Sequence, residues 1–132
     1  MATLAKENTV AELGFAMIAP FQGDKAIVGA PNWYPFRSGY PDEVAAMLKE
    51  VAFQQKKRVA IAYQSATFGP AIAKLAKELA VKQNVNIVLE VMVESAQNDK
   101  IEDSVKEAGI AIAKANPDAI LLLIGGDRKS VV

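Results

Sequence analysis

The sequence predicts an α/β fold: a three-layer, doubly wound parallel sheet with an incomplete set of strands. Three observations predict it. From Asp42 onward, segments of helical period alternate with short apolar runs, the order a βαβ chain produces. The helical segments are about 12–16 residues long, enough to cross between parallel strands and cover a sheet face. Two apolar runs, Val59–Tyr63 and Ala119–Ile124, have no polar interruption, as strands buried on both faces require.

The first 41 residues are of another kind. Thr3 to Leu13 reads as a helix and Phe15 to Ala19 as a short strand ending at Pro20. Phe21 to Tyr40 reads as an irregular connector, since four of the six prolines lie between Pro20 and Pro41 inclusive. A connector of that length inside a domain is functional or crosses between domains, which places a boundary near Trp33 to Gly39. Residues 1–36 and 37–132 are therefore expected to be separate parts. Trp33 and Tyr34 read as packing at that boundary.

A helix follows from Asp42 to Gln54, with Val44, Met47, Leu48 and Val51 on one stripe. Pro41 suits its first turn, and Asp42 and Glu43 complement the positive end of the helix dipole. Val59 to Tyr63 is the first buried strand. After the loop Ser65–Pro70, a second helix runs to Lys82 and turns Ile72, Leu75, Ala76 and Leu79 inward. Val85, Ile87, Leu89, Val91 and Val93 alternate with polar residues, as in a more exposed strand nearer a sheet edge. A third helix carries Ile101, Val105, Ala108 and Ile112 on one side and stops at Asn116-Pro117-Asp118. Ala119 to Ile124 reads as the central, wholly buried strand, and Gly125-Gly126-Asp127 turns the chain at its end.

Composition narrows the function. The chain has 132 residues, fifteen Lys and Arg against fifteen Asp and Glu, and neither Cys nor His. Balanced charge with no basic face argues against nucleic acid. Without Cys or His there are no thiol nucleophiles, disulfides, imidazole bases or Cys/His metal sites, so no metal and no cofactor is expected. The longest apolar run, Ala119 to Ile124, has six residues, whereas a membrane helix needs about twenty. The first residues lack the basic and apolar regions of a signal peptide, so the chain reads as cytoplasmic or already trimmed.

Four segments carry a resemblance. Met17-Ile18-Ala19-Pro20-Phe21-Gln22-Gly23 is similar to the strand and small-residue turn that meet the ligand in amino-acid receptors of the type I periplasmic ligand-binding family. Phe36-Arg37-Ser38-Gly39-Tyr40-Pro41-Asp42-Glu43 resembles that family's crossing into its second lobe. Arg58 to Gln64, followed by Phe68-Gly69, is similar to the first strand of that lobe and its aromatic–Gly helix opening. Pro117-Asp118-Ala119-Ile120-Leu121 matches its Pro-Asp-Ala strand. No single segment is strong; the four together cover nearly the whole chain, in order and at the right spacing.

The resemblance implies two flavodoxin-like lobes joined by a hinge, with a small ligand between them. A complete member is more than twice this length, so the chain would start late in the first lobe and stop inside the second. The implied role is that of a non-enzymatic solute-binding component of an ABC-type uptake system. It would take an amino acid or small carboxylate, deliver it to a membrane permease, and work in the periplasm in the full-length protein.

The ligand contacts the resemblance implies are Gln22, Gly23, Phe68, Gly126 and Asp127. Gln22 stands where the family often has Thr or Ser, which loses a hydroxyl donor; a plain strand-end turn explains it equally well. Phe68 stands where a tyrosine often closes over the ligand; it can stack but not hydrogen-bond, and a core plug at the helix start explains it slightly better. Gly126 and Asp127 could approach a ligand and hold an amine, or simply form a tight strand–helix turn. Arg37 reads equally as a hinge salt-bridge partner or a ligand contact. At least one of Ser65 and Thr67 reads as a capping residue for the helix after Phe68.

The alternative is a stand-alone flavodoxin-like domain with a signalling or enzymatic role. Against it, Gly125 to Ser130 lacks the spacing of a phosphate loop, and Tyr63-Gln64 offers no acidic cluster at a strand end. The apolar residues between Phe15 and Phe36, on a chain without net charge, further predict a two-fold homodimer.

Overall fold

Three helices in this chain each end on a residue in the left-handed region, and none of the three is glycine. The computed structural model describes residues 5–19, 26–65, 68–94 and 100–124. In chain order these give α1 (Thr9–Glu12), β1 (Met17–Ile18), β2 (Trp33–Tyr34), α2 (Tyr40–Phe53), β3 (Arg58–Gln64), α3 (Gly69–Lys82), β4 (Asn86–Val93), α4 (Ile101–Ala115) and β5 (Ala119–Leu123). Gln55, Asn84 and Asn116 have φ of 59°, 56° and 46°. After α2 and α3 the chain closes with a six-to-one bond, Lys56 N–H to the Val51 carbonyl and Val85 N–H to the Ala80 carbonyl, both at 3.0 Å. This left-handed closure satisfies the last carbonyls of a helix and redirects the chain within two or three residues. Each helix is thereby delivered into the next strand.

The chain divides into two compact units, Met1–Val44 and Ala45–Val132. In the first, β1 and β2 pair in parallel, Met17 with Trp33 and Ile18 with Tyr34. Met17 and Trp33 face the unit's core, where Trp33 is buried with Ala5, Val10 and Ile27. Ile18 and Tyr34 point the other way and are exposed, as is Phe36. Three expectations are corrected here. The helix expected over Thr3–Leu13 is broken, because Asn8 is left-handed (φ 53°) and α1 begins only after it. The connector Phe21–Tyr40 contains a strand, β2, too short at two residues to declare a period. Trp33 is core of its own unit.

In the second unit β3, β4 and β5 form a parallel sheet in the order β4-β3-β5. The connection β3–α3–β4 steps to one side and β4–α4–β5 crosses back, so right-handed crossovers put α3 and α4 on opposite faces. The ion pair of Lys77 on α3 with Glu90 on β4 fixes which face is which. Glu90 is registered with Ile61, so α3 covers the face of Val59, Ile61 and Tyr63, and α4 the face of Ala60, Ala62 and Gln64. β3 is accordingly buried from Val59 through Ala62. A register shift at Val59/Ala60 inserts one extra β4 residue into the ladder, a bulge that raises local twist.

β5 differs from its expectation. It is an edge strand among the described residues, paired to β3 alone, and only one of its faces is covered. Leu121 and Leu123 are buried, while Ile120 and Leu122 on the other face are exposed. A charge-free run is compatible with two covered faces but does not supply the second cover. Val105, expected on the inner stripe of its helix, is likewise exposed.

Candidate functional site

In an open parallel sheet, ligands meet the protein at the carboxyl ends of the strands, where helix N-termini and loops converge. The described residues there are Gln64 and Ser65 after β3, Phe68 and Gly69 at the start of α3, Glu94 after β4, and the first turn of α4.

Three hydrogen bonds tie these elements together. The Ser65 N–H donates to the Val93 carbonyl at 2.8 Å, carrying the β3–β4 ladder one step past the strands. The Ser65 hydroxyl donates to Glu94 Oε2 at 3.2 Å. The Glu94 N–H donates to Ser104 Oγ at 2.9 Å, from the first turn of α4. One carboxylate and two hydroxyls are thus held on three different elements, partly buried. Rigid elements position binding groups better than loops do.

Gly69 sets how closely α3 approaches. A β-carbon there would stand 1.8 Å from the Gln64 carbonyl oxygen, a contact no side chain can make. The helix therefore begins directly against the end of β3, with Phe68 at its N-cap and Pro70 in its first turn.

Gln64 is the one polar side chain buried in the described residues, at 8 % exposure. Its amide forms no hydrogen bond among the described residues, yet no fully buried polar atom is left without a partner there. The amide tip therefore still touches solvent while its stem is enclosed.

Of the expected contacts, only Phe68 falls on described residues; Gln22, Gly23, Gly126 and Asp127 lie outside them, as does Thr67. Phe68 is half-buried and its carbonyl accepts the Ile72 N–H. The N-cap of α3 carries no side-chain cap bond. Arg37 forms a two-pronged pair with Glu43, its Nε donating to Oε1 at 2.8 Å and its Nη2 to Oε2, over the Tyr40 ring. The bond to Glu43 raises the Arg37 pKa above its ordinary value. Sequence reasoning places function at strand ends that begin at Gln64 and Glu94, but singles out neither as a contact and misses Ser104. Their shared signal was a polar residue directly after, or facing, the last apolar position of a strand.

Solved structures with a similar fold include substrate-binding proteins of ABC transport. A branched-chain amino-acid ABC transporter protein from Thermus thermophilus with bound valine superposes on 91 % of this chain with a TM-score of 0.67 and 21 % identity. The chain has the fold of the periplasmic substrate-binding proteins. A substrate-binding periplasmic protein from Ralstonia solanacearum covers 90 % of it at TM-score 0.64 and 18 % identity. A solute-binding protein from R. palustris in complex with benzoate covers 96 % at TM-score 0.64 and 10 % identity. The chain spans 30 %, 32 % and 42 % of those three chains. No family model matches the sequence, and no curated protein matches it.

Proposed function

We propose that this chain is a solute-binding component of an ABC-type uptake system, taking an amino acid or related small carboxylate between two lobes. Residues 1–36 belong to the end of the first lobe and the hinge crossing, and residues 37–132 to the second lobe. Ligand contacts come from Gln22 and Gly23, from Phe68, and from Gly126 and Asp127. The partner is a membrane permease, the compartment is the periplasm, and the protein is not an enzyme. The isolated chain self-associates through the exposed Ile18, Tyr34 and Phe36.

The observation that carries this reading is the set of binding groups at the carboxyl ends of β3 and β4. Glu94 can accept from an ammonium, the Ser65 and Ser104 hydroxyls can meet polar atoms, and Phe68 can stack on an apolar part. Neighbours of the same fold hold valine and benzoate, which supports small organic solutes.

A ligand enclosed between two lobes draws affinity from both, so this chain alone should bind weakly. NMR titration of the 132-residue chain with valine, leucine, phenylalanine and benzoate tests it. The expected result is saturable shifts at Ser65, Phe68 and Glu94 with midpoints about millimolar, roughly −4 kcal/mol. Absence of shifts at those residues with all four compounds would reject the reading.

A further inference from the structure

We infer that the amino end of the three-stranded sheet, opposite the candidate ligand site, is a docking surface for an anionic lipid bilayer. The parallel register starts the strands at one level, with Arg58 against Asn86 of β4 and Val59 against Ala119 of β5. α3 and α4 run back to that level and end at Lys82 and Ala115.

Five cations collect there. Lys56, Lys57 and Arg58 lead into β3, Lys82 closes α3, and Lys114 lies in the last turn of α4; all five are exposed. None of them forms an ion pair among the described residues, where the pairs are Arg37 with Glu43 and Lys77 with Glu90. Hydrogen bonds hold the group together. The Asn86 N–H donates to the Lys57 carbonyl at 2.8 Å, and the Arg58 guanidinium to the Ala115 carbonyl, next to Lys114, at 2.9 Å. The carboxylate in their midst, Asp118, already accepts the Lys57 and Arg58 N–H groups. Glu50 and Glu78 stand a turn back along α2 and α3, so cations outnumber carboxylates five to three over the wider patch. Lys82 and Lys114 also complement the negative ends of their helices, yet their side chains remain exposed.

Zero net charge does not cancel this face. Glu94, Glu102 and Asp103 lie at the other end of the sheet, and the strand steps from Arg58 to Gln64 separate the two ends by about 20 Å. That is about two Debye lengths at physiological salt, so each end acts on its own surroundings. Along the sequence the five are dispersed between positions 56 and 114; only the topology gathers them.

Two features select a bilayer over an acidic polypeptide. Four of the five cations are lysines, point charges on flexible stems that suit a diffuse anionic surface, whereas carboxylate recognition favours a free guanidinium fork. Phe53 and Val81 are the most exposed large apolar residues among those described, at 82 % and 80 %. They stand at the ends of α2 and α3 beside these lysines, where apolar groups can enter the interfacial layer while ammonium groups meet headgroup phosphates.

The test is sedimentation of the 132-residue chain, at about 0.1 M salt, with vesicles of phosphatidylglycerol and phosphatidylcholine in equal parts. Binding is expected there, with none to phosphatidylcholine alone and loss at about 0.5 M salt. Lys57→Gln combined with Lys82→Gln should weaken it about 25-fold, fivefold for each cation. Lys74→Gln combined with Lys106→Gln makes the same change in net charge in the first halves of α3 and α4, and should leave binding within about twofold. Phe53→Ser should weaken it about tenfold. Should a variant fail to fold, the lipid and salt dependence of the parent chain decides. No binding to the anionic vesicles, equal losses from the two lysine pairs, or equally tight binding to polyglutamate would overturn the inference. The solute titration is read at the opposite end of the sheet, so either proposal can fail without the other.

Discussion

Asp118 and Arg58 bond to each other in both directions across the start of the sheet. The Asp118 carboxylate accepts the Arg58 N–H at 3.0 Å, and the Asp118 N–H donates to the Arg58 carbonyl at 2.7 Å. The same oxygen, Oδ2, also accepts the Lys57 N–H at 3.1 Å, and the Arg58 guanidinium reaches the Ala115 carbonyl at 2.9 Å. The end of α4, the start of β5 and the start of β3 are therefore closed by one aspartate and one arginine.

Asp118→Ala removes the acceptor of two backbone donors and should cost about 1–2 kcal/mol, since the site is exposed and water replaces part of the loss. Both donors use one oxygen, so Asp118→Asn, which keeps a carbonyl oxygen, should lose less than half as much. Urea denaturation of the two variants checks the order; equal losses would contradict it.

Gly69→Ala should be among the most damaging substitutions available in α3. The added carbon meets backbone that cannot swing aside, so α3 must shift at its first turn. A cost above about 2 kcal/mol is expected, at the upper end of overpacking effects. Gly109, with nothing within 4 Å of an added β-carbon, is the control. Gly109→Ala, in the interior of α4, should stabilise by up to about 1 kcal/mol.

The pair of Lys77 with Glu90 predicts a pH dependence of definite sign. Its hydrogen bond to Glu90 raises the Lys77 pKa above the ordinary 10.5, so the folded chain holds that proton more tightly than the unfolded chain. The pair's contribution is present in full below about pH 10.5 and is lost as pH rises through the folded value. The midpoint difference between the parent and Lys77→Met should be small, because the pair is exposed. It should be constant from about pH 6 to 9 and shrink above about 10.5. A difference that grows with alkalinity would refute the assignment.

Two adjacent leucines in β5 should behave oppositely. Leu121 is 4 % exposed and Leu122 64 %. Leu121→Lys buries an unpaired charge and should prevent folding of the second unit. Leu122→Lys should change stability by no more than about 0.5 kcal/mol and raise solubility. Circular dichroism and the saturation concentration of each variant distinguish them.

Trp33 and Phe36 also separate. Trp33, the sole tryptophan, should emit as a buried indole, and Trp33→Ser should cost about 3–5 kcal/mol. Phe36 is 76 % exposed, so Phe36→Ser should leave the fold intact and lower self-association. Light scattering at tens of micromolar reads the second effect; a parent mass near 14.1 kDa would remove the dimer.

The second unit was legible because its signals are local. Val59 to Ala62 lacks any polar residue, and Asn116-Pro117 can only stop a helix, so β3 and the end of α4 stand where expected. The position of β5 was not legible: an apolar run states that a strand is buried, not how many neighbours it has. β2 was hidden for a different reason, since two residues carry no period. At the site, Phe68 could be proposed from its aromatic–Gly pair, but the Ser65–Glu94 bond joins residues 29 apart. Nothing in either segment alone announces such a pairing. Gln64 was visible as a polar residue ending an apolar strand, but the enclosure of its stem was not.

The order β4-β3-β5 also imposes a schedule on synthesis. β3 leaves the ribosome before either neighbour, and its first partner, β4, begins at Asn86. The second partner begins only at Ala119, and the backbone clamp that seats it spans 60 positions. Long-range parallel pairing is slow because loop closure precedes its reward. For the interval in which Ala119 to Leu123 are still being made, β3, the most buried strand among the described residues, has one bare edge. A pause in translation once Val93 has emerged from the ribosome would prolong that exposure, and one once Leu123 has emerged would not. Nascent-chain capture by hydrophobic holdases should therefore peak between those two points.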